Sequence, residues 1–356
     1  MHKTLLVTSI AESTGKTAVT LALGTLAQQR DRSVGYMKPK GTRLQSNVGK
    51  TLDQDPLLAR QLLGLDSEVH QMEPIVYSPT FVKEAIRGRE DPAALMESVT
   101  SNFESLSEDV DLMIVEGSDA TSTGSIIDVT DLDIARAIDA EVVVVSGYDS
   151  IREVDEVLAT AERLDEEFAG VLFNGVPDAS MDELADDVIP FLDGRDVDVL
   201  GALPRVADLA GVTVEDLAGR LGADLLTSDA PTDPHIERFT VGAMGGNSAL
   251  EQFRRTRDAI MITGGDRSEV QTAALEASGI KALLLTGGFR PPSAVLGRAE
   301  KEGVPIMLVQ SDTRTTIDRV ENVLRTGRTR TESGVREMQR LLNDGVDVDS
   351  LLTIDP

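Results

Sequence analysis

The sequence contains no cysteine and no tryptophan, and aromatic residues make up only 3% of its 356 residues. Without cysteine, disulfide bonds and thiolate metal sites are excluded. The three histidines, His2, His70 and His235, lie far apart along the chain and form no metal-binding pair at helical spacing. No apolar run approaches the roughly 18 residues that a membrane-spanning helix needs, and the N-terminus lacks the hydrophobic segment of a signal peptide. We therefore expect a soluble, cytoplasmic protein without a membrane partner.

Basic residues are also scarce. Lys and Arg total 34 against 61 Asp and Glu, which gives a formal net charge of -27, and only eight of the basic residues are Lys. We expect no nucleic-acid partner, because neutralising phosphates requires a basic face. An acidic surface with Arg in place of Lys favours a halophilic protein, whose carboxylates are screened by concentrated salt. The alternative is an ordinary acidic protein, and stable folding in dilute buffer would favour it.

Short apolar runs alternate with longer helical patterns, which is typical of parallel βαβ units. Strands are predicted in the first part of the chain at 5–7, 34–37, 112–115, 142–145, 170–173 and 199–203. After a turn-rich stretch at 228–234 the alternation restarts with strands at 239–243, 259–263, 282–286 and 305–309. We expect an α/β fold in which residues 1–206 form a parallel sheet with helices on both faces. Residues 207–330 form a smaller α/β domain, and residues 331–356 form a polar tail with a short helix.

The turn after the first strand, residues 9–17, reads Ser-Ile-Ala-Glu-Ser-Thr-Gly-Lys-Thr and opens a helix. Backbone N–H groups at a helix N-terminus can wrap phosphates, with the lysine on the β/γ-phosphates and the threonine on Mg²⁺. This predicts a P-loop whose nucleotide contacts are Glu12, Ser13, Thr14, Gly15, Lys16 and Thr17. The motif is imperfect because neither Ser9 nor Ile10 is the expected glycine, so an ordinary strand–helix turn is the alternative.

Polar side chains also follow other predicted strands, at the edge where parallel sheets bind ligands. Lys38 follows the second strand and is either a ligand-facing residue or a solvated strand end. Glu116 ends a buried strand and is either a Mg²⁺ ligand or a turn residue, while Asp53 and Asp55 either complete the metal shell or begin a helix. Asn174 carries an acceptor and two donors that suit an adenine edge, and its alternative is a turn cap.

Taken together, these motifs resemble the dethiobiotin synthetase-like P-loop ATPases. Five motifs occur in that family's order and approximate spacing: the P-loop, Lys38-Pro39, Val115-Glu116-Gly117, Asn174-Gly175-Val176 and Leu203-Pro204. The resemblance implies a P-loop NTPase-type fold with ATP and Mg²⁺ as cofactors. It places Lys16 on phosphate, Thr17, Asp55 and Glu116 on Mg²⁺, Asn174 on adenine and Lys38 at an acceptor, with Lys16 and Lys38 as catalytic residues.

The sequence departs from this family at two places that would contact an acceptor. Lys40-Gly41-Thr42 stands where small residues are expected after Lys-Pro, and Ser118-Asp119 replaces a glycine pair. These departures leave the identity of an acceptor open.

The remainder of the chain resembles the N-terminal regulatory part of long bacterial phosphotransacetylases, in which a DRTGG domain follows the ATPase-like domain. The motifs that carry this resemblance are residues 134–145, 241–244, 262–267 and 285–288. Two Gly-Gly turns follow neighbouring predicted strands, and their glycines permit positive φ and close backbone approach. The candidate ligand residues there are Gly264, Gly265, Asp266, Arg267, Gly287 and Gly288. These turns are either a pocket for a small-molecule effector, simple caps, or a dimer contact.

Three functions remain open. The first is an ATP–Mg²⁺-binding sensor or regulatory protein, without the acetyltransferase activity for which the chain leaves no room. The second is an ATP-dependent ligase that activates a carboxylate or carbamate, as in dethiobiotin synthetase. The third is an interaction protein that has lost nucleotide binding. The resemblance to dethiobiotin synthetase also implies a homodimer.

Overall fold

The computed structural model describes residues 2–353 apart from residues 43, 48–49, 207–208, 210, 244–245 and 328–331. The domain boundary expected at residue 207 and Met244 of the second-domain motif lie outside the described residues. The chain forms two compact units, Met1–Leu209 with Thr329–Pro356, and Ala210–Arg328. Among the described residues, no helix is both long and apolar enough to cross a membrane.

The first unit is built on a parallel sheet. Its strands are β1 Lys3–Ser9, β2 Val34–Met37, β3 Lys40–Gly41, β4 Leu44–Asn47, β5 Lys50–Asp53, β6 Ile75–Val76, β7 Leu112–Glu116, β8 Glu141–Ser146, β9 Phe168–Val176 and β10 Val199–Pro204. Six of them form one parallel sheet in the order β2-β7-β1-β8-β9-β10. The central strands are buried on both faces, which their continuous apolar runs require. Separate pairs are formed by β3 with β6 in parallel and by β4 with β5 antiparallel.

Helices cover both faces of this sheet. They are α1 Lys16–Gln28, α2 Gln54–Leu63, α3 Val69–Met72, α4 Pro79–Ile86, α5 Pro92–Ser107, α6 Asp131–Ala137, α7 Glu153–Leu164, α8 Asp178–Glu183 and α9 Ile189–Asp193. Short 3₁₀ turns at Ser125–Ile127 and Asp165–Glu167 and a π-helical segment at Leu184–Val188 complete the connections. Several helices begin at side-chain caps: Asp53 accepts from the Asp55 N–H, and Thr130 and Asp133 form a capping box.

The second unit repeats the parallel arrangement on a smaller scale. Its strands are β11 Val212–Thr213, β12 Asp224–Leu225, β13 His235–Ile236, β14 Arg238–Val241, β15 Ala259–Gly264, β16 Ile280–Thr286 and β17 Ile306–Leu308. Its helices are α10 Val214–Leu221, α11 Gly246–Phe253, α12 Ser268–Leu275, α13 Ser293–Glu302 and α14 Thr313–Gly327. The main sheet has the order β12-β17-β16-β15-β14, with β12 antiparallel to β17 and the remaining pairs parallel. The two faces of this sheet pack against separate apolar clusters.

The C-terminal segment differs from the polar tail expected from sequence. It forms α15 Glu332–Gly345 and α16 Val348–Leu352, and both helices belong to the first unit. Met338, Leu342 and Leu352 are fully buried in the same apolar core as β1 and α1, and Arg30 Nε lies 2.5 Å from Asp349 Oδ1. The composition of this segment is polar because the exposed face of each helix carries many charges, while a narrow apolar stripe makes the contact.

Candidate functional site

The loop after β1 ends where α1 begins, and Gly15 is fixed by its surroundings. Gly15 has φ 86°, and a Cβ there would lie 2.3 Å from Asn174 Nδ2, so only glycine fits. The Asn174 amide donates to the Thr14 carbonyl at 2.7 Å, which ties the loop to the end of β9. Glu12 and Ser13 are exposed. The Thr14 hydroxyl is buried and finds no hydrogen-bond partner among the described residues, as expected for a loop that is completed by a ligand.

Lys16 lies at the start of α1 and points at the segment that follows β7. Its side chain is 5% exposed, and its Nζ lies 3.5 Å from Asp119 Oδ1. Burial lowers the pKa of Lys16, and the nearby Asp119 and Glu116 carboxylates partly offset that effect. A buried ammonium at the end of a P-loop is placed to neutralise phosphate charge.

Thr17, Glu116 and Asp55 meet beside Lys16. The Thr17 hydroxyl donates to Glu116 Oε1 at 2.7 Å and lies 3.4 Å from Asp55 Oδ2. The Tyr36 hydroxyl donates to Glu116 Oε2 at 2.8 Å. Burial raises the pKa of Glu116, and Lys38 opposes that shift. The structure therefore brings together Thr17, Asp55 and Glu116, the three residues predicted from the sequence to share one metal ion.

Lys38 lies inside a cluster of three carboxylates. Its Nζ contacts Asp55, lies 2.8 Å from Asp53 Oδ2 and 3.6 Å from Glu116 Oε1, and its side chain is 2% exposed. Burial alone would lower the pKa of Lys38, but Asp55, Glu116 and Asp53 outweigh it and raise the pKa above its ordinary value. The Lys38 ammonium thus occupies the position that a cation would take between these acids.

The donor set fits Mg²⁺. Within the described residues no three His, Cys, Asp or Glu side chains form an all-protein metal site, but Mg²⁺ is usually held by one or two carboxylates together with phosphates and water. The carboxylates of Asp55 and Glu116 each lie within 3.4 Å of the Thr17 hydroxyl, and all three groups are hard oxygen donors. These three residues are therefore suited to a Mg²⁺ that also binds a nucleotide.

A second buried ion pair, between Lys40 and Asp131, was not predicted from the sequence. Lys40 Nζ lies 3.0 Å from Asp131 Oδ1 and donates to the carbonyls of Thr123 and Val129 at 2.9 and 2.7 Å. Asp131 also accepts from the Thr8 hydroxyl at 2.6 Å, and burial would raise its pKa, but Lys40 and the hydrogen bonds lower it below its ordinary value. Position 40 was visible as a departure from the family pattern, but its partner is 91 residues away, so sequence alone did not identify the pair.

Glu73 is another buried acid beside this cluster that sequence reasoning missed. Its Oε2 accepts from the Asp53 N–H at 3.1 Å, while its Oε1 is buried without a hydrogen-bond partner among the described residues. Burial raises its pKa to about 7. A Cβ at Gly41 would lie 1.7 Å from Glu73 Oε1, which explains the glycine after Lys40.

In the second unit the two Gly-Gly turns are adjacent, because β15 and β16 pair with Gly264 opposite Thr286. Gly287 and Gly288 both have positive φ, at 80° and 74°. A Cβ at Gly265 would lie 1.7 Å from the Phe289 carbonyl oxygen, so the two turns touch through their backbones.

The polar side chains at these turns hold the backbone. Arg267 Nη1 donates to the Gly242 carbonyl at 2.8 Å, and Gln271 Nε2 donates to the carbonyls of Gly264 and Gly265 at 2.9 and 3.1 Å. The Asp266 carboxylate would lie 2.6 Å from a Cβ at Gly264. The structure thus brings Gly264, Gly265, Asp266 and Arg267 next to Gly287 and Gly288, as both the pocket and the cap interpretations require.

The fold and the P-loop define the first unit as a nucleotide-binding α/β domain of the P-loop type. Residues 3–213 match the AAA domain family, which is more than half of the chain, and the chain belongs to that family. Residues 216–323 match the DRTGG domain. The sequence interpretation of an ATPase-like domain followed by a DRTGG domain is therefore confirmed.

Curated relatives extend this likeness across both units. The chain is 25% identical to the phosphate acetyltransferase of Haemophilus influenzae over 348 residues, covering 88% of this chain and 47% of that protein. It is 24% identical to the phosphate acetyltransferase of Escherichia coli strain K12, covering 88% of this chain and 47% of that protein. The chain thus spans about half the length of these relatives.

Two solved structures show a more distant likeness. The cell division ATPase MinD of Pyrococcus furiosus is 15% identical with a TM-score of 0.34, covering 59% of this chain and 86% of that one. The CBS and DRTGG domains of the Clostridium perfringens pyrophosphatase, complexed with diadenosine tetraphosphate, are 16% identical with a TM-score of 0.26. This match covers 37% of this chain and 66% of that one. At these TM-scores neither likeness bears on the site.

Proposed function

We propose that the protein is an ATP–Mg²⁺-binding sensor or regulatory protein whose nucleotide site lies in the first unit. The observation that carries the proposal is the convergence of Lys16, Thr17, Asp55 and Glu116 at the carboxyl edge of β1 and β7. A P-loop lysine, a metal-binding hydroxyl and two carboxylates are the groups that position a nucleoside triphosphate with its metal.

Each residue has a distinct role in this proposal. The backbone of Glu12–Gly15 and the Lys16 ammonium bind the phosphates, and Thr17, Asp55 and Glu116 hold Mg²⁺, which neutralises phosphate charge when bound. Asn174 already donates to the Thr14 carbonyl, so its Oδ1 is the group that would accept from the adenine amino group. Asn174 would then couple base recognition to the shape of the loop.

Thermal shift and calorimetric titration with ATP and Mg²⁺ in concentrated salt test this proposal. A ligand at 100 times its Kd stabilises the folded state by about 2.7 kcal/mol, so we expect a clear rise in Tm. Lys16→Ala should abolish the rise, while the control Lys83→Ala, on the exposed face of α4, should keep it. Equal stabilisation of both variants would refute the proposed site, and no stabilisation of the wild type would favour an interaction protein without nucleotide binding.

An ATP-dependent ligase is the second candidate, because Lys38 is retained where the family holds an acceptor. Two observations favour the regulatory role over it. Lys38 is enclosed by three carboxylates, and Lys40 fills a position where the ligases have small residues. ADP release measured with candidate amino and carboxylic acids separates the two: turnover that requires both an acceptor and Lys38 would establish the ligase.

We further propose that the Gly-Gly turns of the second unit bind a small-molecule effector through Gly264, Gly265, Asp266, Arg267, Gly287 and Gly288. Arg267 donates to the Gly242 carbonyl, just after the neighbouring strand β14, and a planar guanidinium at this position is suited to binding an anion. Chemical-shift changes on adding candidate anionic metabolites, lost in Arg267→Gln, would support this site. Shifts that persist in that variant would show binding that does not involve Arg267, and absence of shifts in the wild type would favour the cap interpretation.

Three properties complete the proposal: a homodimer, dependence on high salt, and no acetyl transfer. Light scattering in concentrated salt measures the mass of the particle. Circular dichroism in dilute buffer tests the halophilic property, since a net charge of -27 is no longer screened there. An assay for acetyl phosphate formation tests the proposed absence of acetyl transfer.

A further inference from the structure

The P-loop lysine already has an internal counter-ion. Asp119 Oδ1 lies 3.5 Å from Lys16 Nζ, and the Asp119 side chain is 20% exposed, so a ligand in the loop can reach this pair. Lys16 is the residue that would bind the β/γ-phosphates under the proposed function. A carboxylate and a terminal phosphate therefore compete for one ammonium.

The position of Asp119 is fixed by the segment that carries it. The Ser118 N–H and hydroxyl donate to Asp131 at 2.8 and 3.1 Å, and the Ser9 hydroxyl lies 3.3 Å from the Asp119 carbonyl oxygen. Asp131 is itself fixed by its buried ion pair with Lys40. Because the backbone on both sides of the Asp119 Cα is held, its carboxylate can leave Lys16 only by side-chain rotation.

The charges around Lys16 make a second negative group costly. Besides Asp119, the Glu116 and Asp131 carboxylates act on Lys16, and the Lys38 ammonium acts in the opposite direction. A terminal phosphate beside Lys16 brings further negative charge next to Asp119, whereas the α- and β-phosphates lie against the backbone N–H groups of the loop. The carboxylate thus opposes the third phosphate more than the first two.

Resting on the proposed nucleotide function, we propose that Asp119 is a specificity-determining residue that sets the preference between nucleoside di- and triphosphate. Both nucleotides bring a β-phosphate to Lys16, but only the triphosphate adds a γ-phosphate beside Asp119, and that phosphate must displace the Asp119 carboxylate from Lys16. The site then favours the diphosphate unless Mg²⁺ offsets the added charge. Removing the Asp119 charge should shift the preference toward the triphosphate.

The experiment measures Kd for ADP and for a non-hydrolysable ATP analogue, each with Mg²⁺, by calorimetry on the full chain. Asp119→Asn should improve the ratio of triphosphate to diphosphate affinity roughly tenfold, since it removes one like charge near the γ-phosphate. Asp119→Glu keeps the charge and should keep the wild-type ratio. The matched control is Asp109→Asn, which removes an exposed charge before β7, at the opposite end of the strand that leads to Asp119.

The outcomes separate this inference from the proposed function. A changed ratio in Asp119→Asn alone supports the inference. An unchanged ratio in Asp119→Asn, with nucleotide binding lost in Lys16→Ala, overturns the inference and leaves the nucleotide function intact. Absence of nucleotide binding in every protein, Asp119→Asn included, overturns both.

Discussion

The carboxyl edges of the two parallel sheets carry different chemistry on similar topology. In the first unit the strands are followed by buried lysines, Lys16, Lys38 and Lys40, each in contact with carboxylates. In the second unit β15 and β16 are followed by glycine turns. The Gln271 amide donates to the Gly264 carbonyl of one turn, and Thr263 and Arg267 donate to the Gly242 carbonyl after β14. The first edge is organised by charge and the second by backbone geometry. The first edge is therefore suited to a ligand that combines phosphate groups with a metal ion. The second edge is suited to a ligand that approaches the main chain closely.

The largest effect is expected from removing the central charge of the first edge. Lys38→Met leaves the buried Asp53, Asp55 and Glu116 carboxylates facing one another, so it should lower the free energy of unfolding by about 3–5 kcal/mol. Mg²⁺ should recover part of this loss, because the cation takes the position of the ammonium. Urea unfolding with and without MgCl₂ measures both effects.

Two controls define what that result means. Lys83→Met, on an exposed helix face, should change stability little. Arg267→Met at the second edge should cost less than Lys38→Met and should not respond to Mg²⁺. If Lys38→Met and Arg267→Met were equally destabilising, charge would not be what distinguishes the two edges.

A smaller effect is expected from adding one methyl group to the second edge. Gly265→Ala places a Cβ 1.7 Å from the Phe289 carbonyl oxygen, and since that atom is backbone, we expect a loss of about 2–3 kcal/mol. Gly297→Ala, within α13 and with no atom within 4 Å of the new Cβ, should instead be neutral or stabilising by up to about 1 kcal/mol. Thermal unfolding of both variants provides the comparison, and equal Tm values would contradict it.

The smallest effect concerns pH at the first edge. Burial raises the pKa of Glu73 to about 7 from 4.5, so the folded state binds more protons than the unfolded state between these values. Stability from this group is therefore present at low pH and is lost as pH rises from about 4.5 to about 7. Glu73→Gln should flatten the pH dependence of unfolding over this range by an amount on the order of 1–3 kcal/mol. An unchanged slope would show that Glu73 does not titrate there.

Much of the first site was predictable because its residues follow buried strands. Four of these residues stand at the end of a continuous apolar run or after it: Lys16, Lys38, Glu116 and Asn174. Parallel strands bring such positions to one edge of the sheet. The pairing of Thr17 with Glu116 and Asp55 agrees with that expectation, although their roles toward a ligand remain predictions. The hydrogen bond from the Asn174 amide to the Thr14 carbonyl of the P-loop was not predicted, because an amide side chain can bind many different partners.

Other contacts depend on packing between distant segments. Asp119 was recognised only as a departure from a family pattern, and its approach to Lys16 depends on the network of Asp131, Ser118 and Ser9. Glu73 lies in a short connection with no periodic pattern, so nothing in the sequence indicated that it is buried. The short strands β3 to β6 were also not predicted, because two- to four-residue segments carry too little periodicity.

The sequence by itself determined the α/β alternation, the P-loop, the acidic composition and the presence of two successive α/β parts, because these depend on local patterns of apolar, glycine and charged residues. Only the tertiary structure decided which acid meets which lysine, how the strands are ordered in each sheet, and that residues 332–353 pack on the first unit. The physical reason is distance along the chain: a buried charge must find a partner, but the partner is selected by the fold and not by neighbouring residues.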